Sequence, residues 1–193
     1  LDMLEDAAPD EQVQLQKTMT SALFDLDALV KELLYYARLK DDATVLKRSQ
    51  FSLVELTQTA IDKVQNFYPH IKFETQIKDE LSISADQNLL LRMLINLLRN
   101  AGRFATTRCR IRVQQLERNL EIVIEDDGMG IPPGKTERIF EPFTRLDPSR
   151  SRDSGGIGLG LAIVKRIIQL HGGQVQVSDS SLGGARFLMR WPR

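Results

Sequence analysis

The chain has 193 residues with 26 basic and 26 acidic side chains, and its formal net charge of zero argues against a general nucleic-acid or anionic-membrane surface. A hydrophobic content of 42% supports a core and excludes a disordered chain, while Cys109, the only cysteine, excludes a disulfide framework and a cysteine-based zinc site. No run reaches the eighteen or so apolar residues of a membrane span, the start does not read as a signal peptide, and a reducing compartment is the simplest fit.

Residues 1–9 read as the end of one helix and a connection closed by Pro9, which suits a first helical position. From there to Lys40 the pattern predicts a long helix. Leu15, Met19, Ala22, Leu26, Leu29, Leu33 and Tyr36 recur at spacings of four and three, a heptad seam. Leu23, Val30, Leu34 and Ala37 widen it to the stripe of a four-helix bundle. A dimer of two helical hairpins would bury that stripe; packing onto the domain that follows is the alternative. The polar stretch Lys40–Ser49 reads as a linker.

Ser52 with Glu55 three residues later is a capping-box pattern, predicting a helix from Leu53 to about Phe67 that ends before Pro69. Ile71–Ile77 and Leu81–Ser84 are expected strands. Asp86 is the expected cap of a leucine-rich helix. Cys109–Gln115 and Leu120–Glu125 alternate as a hairpin with Arg118-Asn119 in its turn. A further helix should end near His171 at Gly172-Gly173, and Val175–Val177 with Ala185–Met189 should form a last hairpin around Leu182-Gly183-Gly184. The order implies the α+β class: a two-layer α/β sandwich in which one mixed sheet carries helices on a face.

Two glycine clusters about thirty residues apart, Asp126-Asp-Gly128-Met-Gly130 and Gly156-Ile-Gly158-Leu-Gly160, flank a polar segment. Glycines let backbone N–H groups approach a ligand, and at a helix start those groups favour an anion such as phosphate. Either cluster alone reads equally well as a turn and a helix cap. Asn96 and Asn100 share a helix face among leucines; two stacked amides suit a hydrated Mg²⁺ beside phosphates, or else an exposed loop tie. Arg103 follows on the same side and Phe104 could cover a flat ring. Asp126, where a strand gives way to glycine, could accept from an exocyclic amine, although Asp-Asp-Gly is also an ordinary turn.

Asn96-Leu-Leu-Arg-Asn100-Ala-Gly-Arg103-Phe104 resembles the N box of sensor histidine kinases. Asp126 to Gly130 is similar to their G1 box, Ile139-Phe140-Glu141-Pro142-Phe143 to the F box, and Gly156 to Gly160 to the G2 box. The N-terminal helix resembles the second helix of the dimerisation and phosphotransfer domain. Leu1-Asp-Met-Leu-Glu-Asp6, Arg145-Leu-Asp-Pro-Ser-Arg150 and Gly183-Gly-Ala-Arg-Phe187 are similar to the RstB group of these kinases.

The resemblance implies a Bergerat-type ATP-binding fold of the gyrase, Hsp90, histidine kinase and MutL superfamily over residues 50–193. Residues 1–42 would be a helical-hairpin fragment of the dimeric four-helix bundle and 43–49 a linker. It implies ATP and Mg²⁺ as cofactors, with Asn100 the principal metal ligand and Asn96 supporting it. Arg103 would face the phosphates, as would Arg145 and Arg150 from a lid over residues 132–155. Phe104 would lie near the adenine and Asp126 would read its amine; Gly128, Gly130, Gly156, Gly158, Leu159 and Gly160 would line the nucleotide. The γ-phosphoryl would pass to a histidine and then to an aspartate of a response-regulator receiver domain. A homodimer through the N-terminal helices is implied, in the cytoplasmic portion of an inner-membrane sensor, with no nucleic-acid partner and no membrane contact by these residues.

Arg103 and Phe104 stand where Lys and Tyr are frequent in that family, and Ala185 where many members have Thr. No H box is present, so the phosphoacceptor is expected before Leu1, and the fragment is not expected to autophosphorylate. His70 and His171 read as surface or capping residues. A gyrase- or MutL-like ATPase would need a catalytic acid where Asn96 stands; a non-catalytic dimer module docking a response regulator would be expected to have lost a site residue.

Overall fold

Each expected helix and strand of the second half of the chain forms, and the pairing of the strands decides where their chemistry lies. The computed structural model describes residues 9–41, 45–77, 81–117, 119–145 and 158–192. The chain divides after Arg38 into two units. The first unit holds helix α1 (Pro9–Lys40) as far as Arg38, with Pro9 at its start as expected. By itself it leaves its apolar stripe in solvent, with Leu23 at 65% and Leu26 at 55% exposure. The expected end of an earlier helix, in residues 1–8, lies outside the described residues.

The second unit contains β1 (Arg48–Ser52), α2 (Leu53–Gln65), β2 (Lys72–Gln76), β3 (Ser82–Asp86), α3 (Gln87–Phe104), β4 (Arg108–Gln115) and β5 (Asn119–Asp126). A 3₁₀ turn (Arg138–Phe140), α4 (Gly160–Leu170), β6 (Gln174–Asp179) and β7 (Ala185–Pro192) follow. Five strands make one mixed sheet in the order β2-β4-β5-β7-β6, in which only β2 and β4 run parallel. The sequence reading placed every strand in that sheet. Instead, β3 pairs antiparallel with β1 in a separate two-stranded ladder. Arg48 and Ser49, read as linker, are in strand β1; a polar, exposed edge strand has no hydrophobic alternation to announce it.

Helices α2, α3 and α4 lay apolar stripes on one face of the sheet. Leu90, Met93, Leu94, Leu97 and Leu98 of α3 are fully buried, with Ile163, Val164, Ile167 and Ile168 of α4 beside them. The strands answer at alternate positions: Cys109, Ile111 and Val113 of β4, Ile122 and Ile124 of β5, and Phe187, Met189 and Trp191 of β7. The Phe140 ring meets Phe187 edge-on at 6.4 Å, which ties the 3₁₀ turn into this core.

The opposite face of the sheet carries no helix among the described residues, yet central strand β5 is buried there too. Its outward residues Glu121, Val123 and Glu125 are 7%, 3% and 1% exposed. Arginines from the flanking strands cover them: the Arg112 guanidinium is 2.6 Å from Glu125, and Arg190 pairs with Glu121. Aliphatic stems lie on the sheet and the charged heads are satisfied by carboxylates beneath.

The helix caps follow the sequence reading. Ser52 Oγ accepts from Glu55 N–H at 3.3 Å, and Asp86 Oδ1 accepts from Leu89 N–H at 3.1 Å. Asp86 does more: its other oxygen accepts Lys47 N–H at 2.9 Å, and its own N–H donates to His171 Nε2 at 3.2 Å. His171 is thus a cap, as expected, but no surface residue; it is buried, with Nδ1–H donating to the Ile167 carbonyl at 2.8 Å. His70 is exposed.

Because Nε2 must accept, His171 is neutral in the fold, and burial, with Arg48 nearby, pushes its pKa below the ordinary value against the opposing influence of the Ile167 hydrogen bond and Asp86. A folded pKa below the unfolded one means that the stability it supports is complete above about pH 6.5 and is lost as pH falls through the lowered value. Urea unfolding of the wild-type protein should therefore weaken between about pH 7.5 and pH 5, and His171→Leu should be less stable at pH 7.5 and lose that slope.

Candidate functional site

Helix α3 brings the two amides to one face because they lie four residues apart. Asn96 and Asn100 are both half-buried, and the Asn96 side-chain nitrogen is buried with no protein partner. Facing it is the start of α4. A Cβ built on Gly160 would lie 3.7 Å from Asn96 Oδ1, an ordinary contact distance, so the amide oxygen lies beside this helix start. Helix α4 has no side-chain N-cap, and its first intrahelical bond runs from Ile163 N–H to the Leu159 carbonyl. The preceding amides point out of the helix with the positive end of its dipole behind them. Leu159 itself is fully buried and anchors this turn.

Gly158 fixes how α4 begins. Its φ of +80° and the 2.8 Å that would separate an added Cβ from the Thr144 carbonyl both require glycine. Its carbonyl accepts Phe143 N–H at 3.0 Å, and Phe143 is itself held at φ +64°. The Phe140–Phe143 segment is thereby fastened to the start of α4.

At the far end of α3, Phe104 is partly exposed and Arg103 is exposed. A Cβ at Gly128 would overlap the Phe104 carbonyl oxygen, so this glycine allows β5 to leave the sheet against the end of the helix. Asp126, 2% exposed, is the last residue of β5. Its Oδ1 accepts Gly128 N–H at 3.0 Å and Ala185 N–H at 3.1 Å, and its carbonyl accepts Gly184 N–H at 3.1 Å. Burial pushes the carboxyl above its ordinary value, against these two amide bonds. Gly130 lies by Gly184, whose carbonyl would be 3.5 Å from an added Cβ. One helix therefore joins an amide face with an open helix start to a buried carboxylate with three glycines around it.

Asp127 closes the same corner. Its carboxylate accepts Thr106 N–H at 2.9 Å, Thr107 N–H at 3.1 Å, Arg108 N–H at 3.2 Å and the Thr107 hydroxyl at 2.6 Å. Burial raises this carboxyl, but the Thr107, Arg108 and Thr106 bonds outweigh it and hold it at about 2. The sequence reading missed Asp127, Gly184 and the Ala185 amide, all drawn in by pairing distant in sequence. The acidic run Glu125-Asp126-Asp127 and, far along the chain, the Gly183-Gly184 turn were the available signals. Arg145 is exposed at the end of its described segment, and nothing among the described residues ties it to the amide face. Arg150 and Gly156 lie outside the described residues, as does the part of the expected lid from residue 146 onward.

The geometry has relatives. Residues 85–193 match the family model described as histidine kinase-, DNA gyrase B-, and HSP90-like ATPase. The chain is 38% identical over 194 residues to the sensor protein RstB of Escherichia coli strain K12, covering 100% of this chain and 44% of that protein. The mycobacterial sensor histidine kinase MprB matches with a TM-score of 0.66 at 30% identity, over 75% of this chain and 97% of that one. Full-length ShkA, solved in complex with AMPPNP, matches with a TM-score of 0.83 at 27% identity, over 98% of this chain and 40% of that one. The chain spans less than half the length of the curated relatives it matches.

The two acids predict opposite behaviour. Asp126 has a raised folded pKa, so its ionisation destabilises the fold as pH rises past the ordinary carboxylate range. Asp126→Asn should keep or raise the thermal midpoint at pH 7, the gain disappearing below about pH 4. Asp127 has a lowered pKa, so its contribution is complete above about pH 4 and is lost as pH falls through about 2. Asp127→Ala should cost about 2 kcal/mol in denaturant unfolding at pH 7, and the gap from wild type should close toward pH 2.

Proposed function

We propose, from the premise that this chain belongs to the histidine kinase-, DNA gyrase B-, and HSP90-like ATPase family, that it is the catalytic portion of a sensor histidine kinase. It binds ATP with Mg²⁺ and donates the γ-phosphoryl to a histidine for relay to a response-regulator aspartate. The observation that carries this reading is the pair of sites joined by α3: amides facing an open helix start, and a buried carboxylate beside glycines.

Asp126 reads the base. One carboxylate oxygen is committed to the Gly128 and Ala185 amides, and the other takes no hydrogen bond among the described residues. A carboxylate so fixed accepts from an adenine amine and rejects a base that offers a carbonyl there. Phe104 lies at the same end of α3, near the adenine, and Gly128 and Gly130 keep the floor clear of side chains. The amides of Gly160 and its neighbours at the start of α4 bind phosphate oxygens. Arg103, Arg145 and Arg150 balance phosphate charge.

The residues present fit Mg²⁺. Asn96 buries an amide nitrogen with no protein partner, and its side-chain oxygen already lies toward Gly160 at the start of α4. Among the described residues no three His, Cys, Asp or Glu gather as a metal cage, so Asn100 and Asn96 would share the ion with phosphate oxygens and water. Bound there, the ion would supply positive charge to the phosphates. Asn96 also disfavours a gyrase- or MutL-like hydrolase, because an amide cannot take a proton from water.

The exposed stripe of α1 is the homodimer surface and, by the family's plan, the docking platform for a receiver domain. No helix among the described residues is long and apolar enough to cross a membrane. The parent is read as an inner-membrane sensor with this portion in the cytoplasm.

Calorimetry tests the site. Wild-type protein should bind ATP more tightly with Mg²⁺ than with EDTA. Asn100→Ala should bind at least about tenfold more weakly in Mg²⁺ with unchanged affinity in EDTA; an unaltered Mg²⁺ dependence would remove Asn100 from the metal.

A further inference from the structure

The residue before Asp126 is a buried carboxylate for which the proposed site has no use. Glu125 is 1% exposed, and alternation along β5 sends it to the sheet face opposite Asp126. Its Oε1 accepts both Ser181 N–H at 3.3 Å and the Ser181 hydroxyl at 3.2 Å. Its Oε2 forms an ion pair at 2.6 Å with Arg112, whose Nε is buried without a hydrogen bond. Burying an ionised side chain this deeply costs free energy that one surface turn would not repay.

Ser181 belongs to the turn between β6 and β7. That turn is closed by Ser180 N–H donating to the Gly184 carbonyl at 2.8 Å, Gly183 N–H to the Ser180 carbonyl at 3.1 Å, and Leu182 N–H to Ser180 Oγ at 3.0 Å. It delivers Gly184 N–H to the Asp126 carbonyl and Ala185 N–H to Asp126 Oδ1. No slack is available, since a Cβ at Gly184 would overlap Asp126 Oδ1. Two consecutive residues of one strand thus grip the same turn from opposite faces of the sheet.

We propose that Glu125 is a positioning residue for base recognition: through Ser181 it locks the 180–184 turn, and the Ala185 amide that follows the turn sets the direction of the Asp126 carboxylate. This rests on the reading that Asp126 binds the adenine amine. With the latch gone, the turn moves, Ala185 N–H no longer fixes Oδ1, and the acceptor swings off the amine. Phosphate and metal contacts at the start of α4 are on a different element and do not change. Glu125 therefore governs the preference for adenine over a base with a carbonyl in place of the amine, and leaves the affinity for the shared triphosphate intact.

The test compares binding of ATP and inosine triphosphate by calorimetry with Mg²⁺, in parallel with thermal unfolding. The double variant Arg112→Met, Glu125→Met removes both charges at similar volume, so that no lone ion is buried. It should lose roughly tenfold of the ATP preference, entirely through weaker ATP binding, the order expected for one misaligned hydrogen bond to a charged acceptor. Glu125→Gln still accepts from Ser181 and should keep the preference within about twofold. Ser181→Ala, at an exposed turn, leaves the core untouched and should lose about two- to threefold, so the question survives if the double variant fails to fold. Wild-type preference in a folded double variant or in Ser181→Ala would overturn the latch, and so would an equal loss in Glu125→Gln. Wild-type protein that binds both nucleotides alike would instead overturn base reading by Asp126, and the latch with it.

Discussion

Three acidic residues in a row at the end of β5 hold the site together, and they do so because a strand turns successive side chains to opposite faces. Glu125 points to the open face and holds the 180–184 turn; Asp126 points to the helical face and takes the amide that follows the turn; Asp127, just past the strand, gathers Thr106, Thr107 and Arg108. One β-strand end thereby fixes three segments from distant parts of the sequence. Their electrostatics diverge in step: the carboxylate rich in donors is held at about 2, while Asp126, the proposed base acceptor, is pushed upward by burial. The strand end that secures the fold through Asp127 carries the cost of a desolvated charge at Asp126, a pattern expected where function opposes stability.

The remainder of the sheet makes that arrangement affordable. Its helical face is a dense apolar layer from α2, α3 and α4. Its other face has no such cover among the described residues, so arginine stems shield β5 and their guanidinium groups meet Glu121 and Glu125. A chain with balanced charge can use paired ions as a lid over its central strand. The second use of that lid is the latch, because the carboxylate neutralised by Arg112 is also the one that holds Ser181.

Helix α3 joins the two ends of the site. Leucines on its buried face set its rotation, and that rotation presents Asn96 toward the start of α4, with Asn100 one turn further along the same face, while the Phe104 carbonyl reaches Gly128. Rigid secondary structure places the proposed metal amides and the proposed base acceptor more accurately than loops would. Helix α4 in turn begins where Gly158 is held at positive φ against the Phe143 segment.

Much of this was legible in the residues themselves. Heptad spacing, the Ser52 and Asp86 caps, strand alternation and the order of the four motifs are local patterns, and local sterics and hydrophobic periodicity suffice to read them. They announced the α+β class, the helices and the candidate amides and carboxylate. Strand partnership was decided only in three dimensions, since alternation marks a strand without marking its neighbour; so β1 and β3 form their own ladder, and Arg48 and Ser49 join it. His171 was also beyond local reading. Its burial depends on Asp86, 85 residues away, for which no sequence spacing exists. The grip of Glu125 on Ser181 and of Asp126 on Ala185 belongs to the same class: such bonds exist only once β7 has paired with β5, and it is that pairing, rather than any motif, that turns an acidic run into a site.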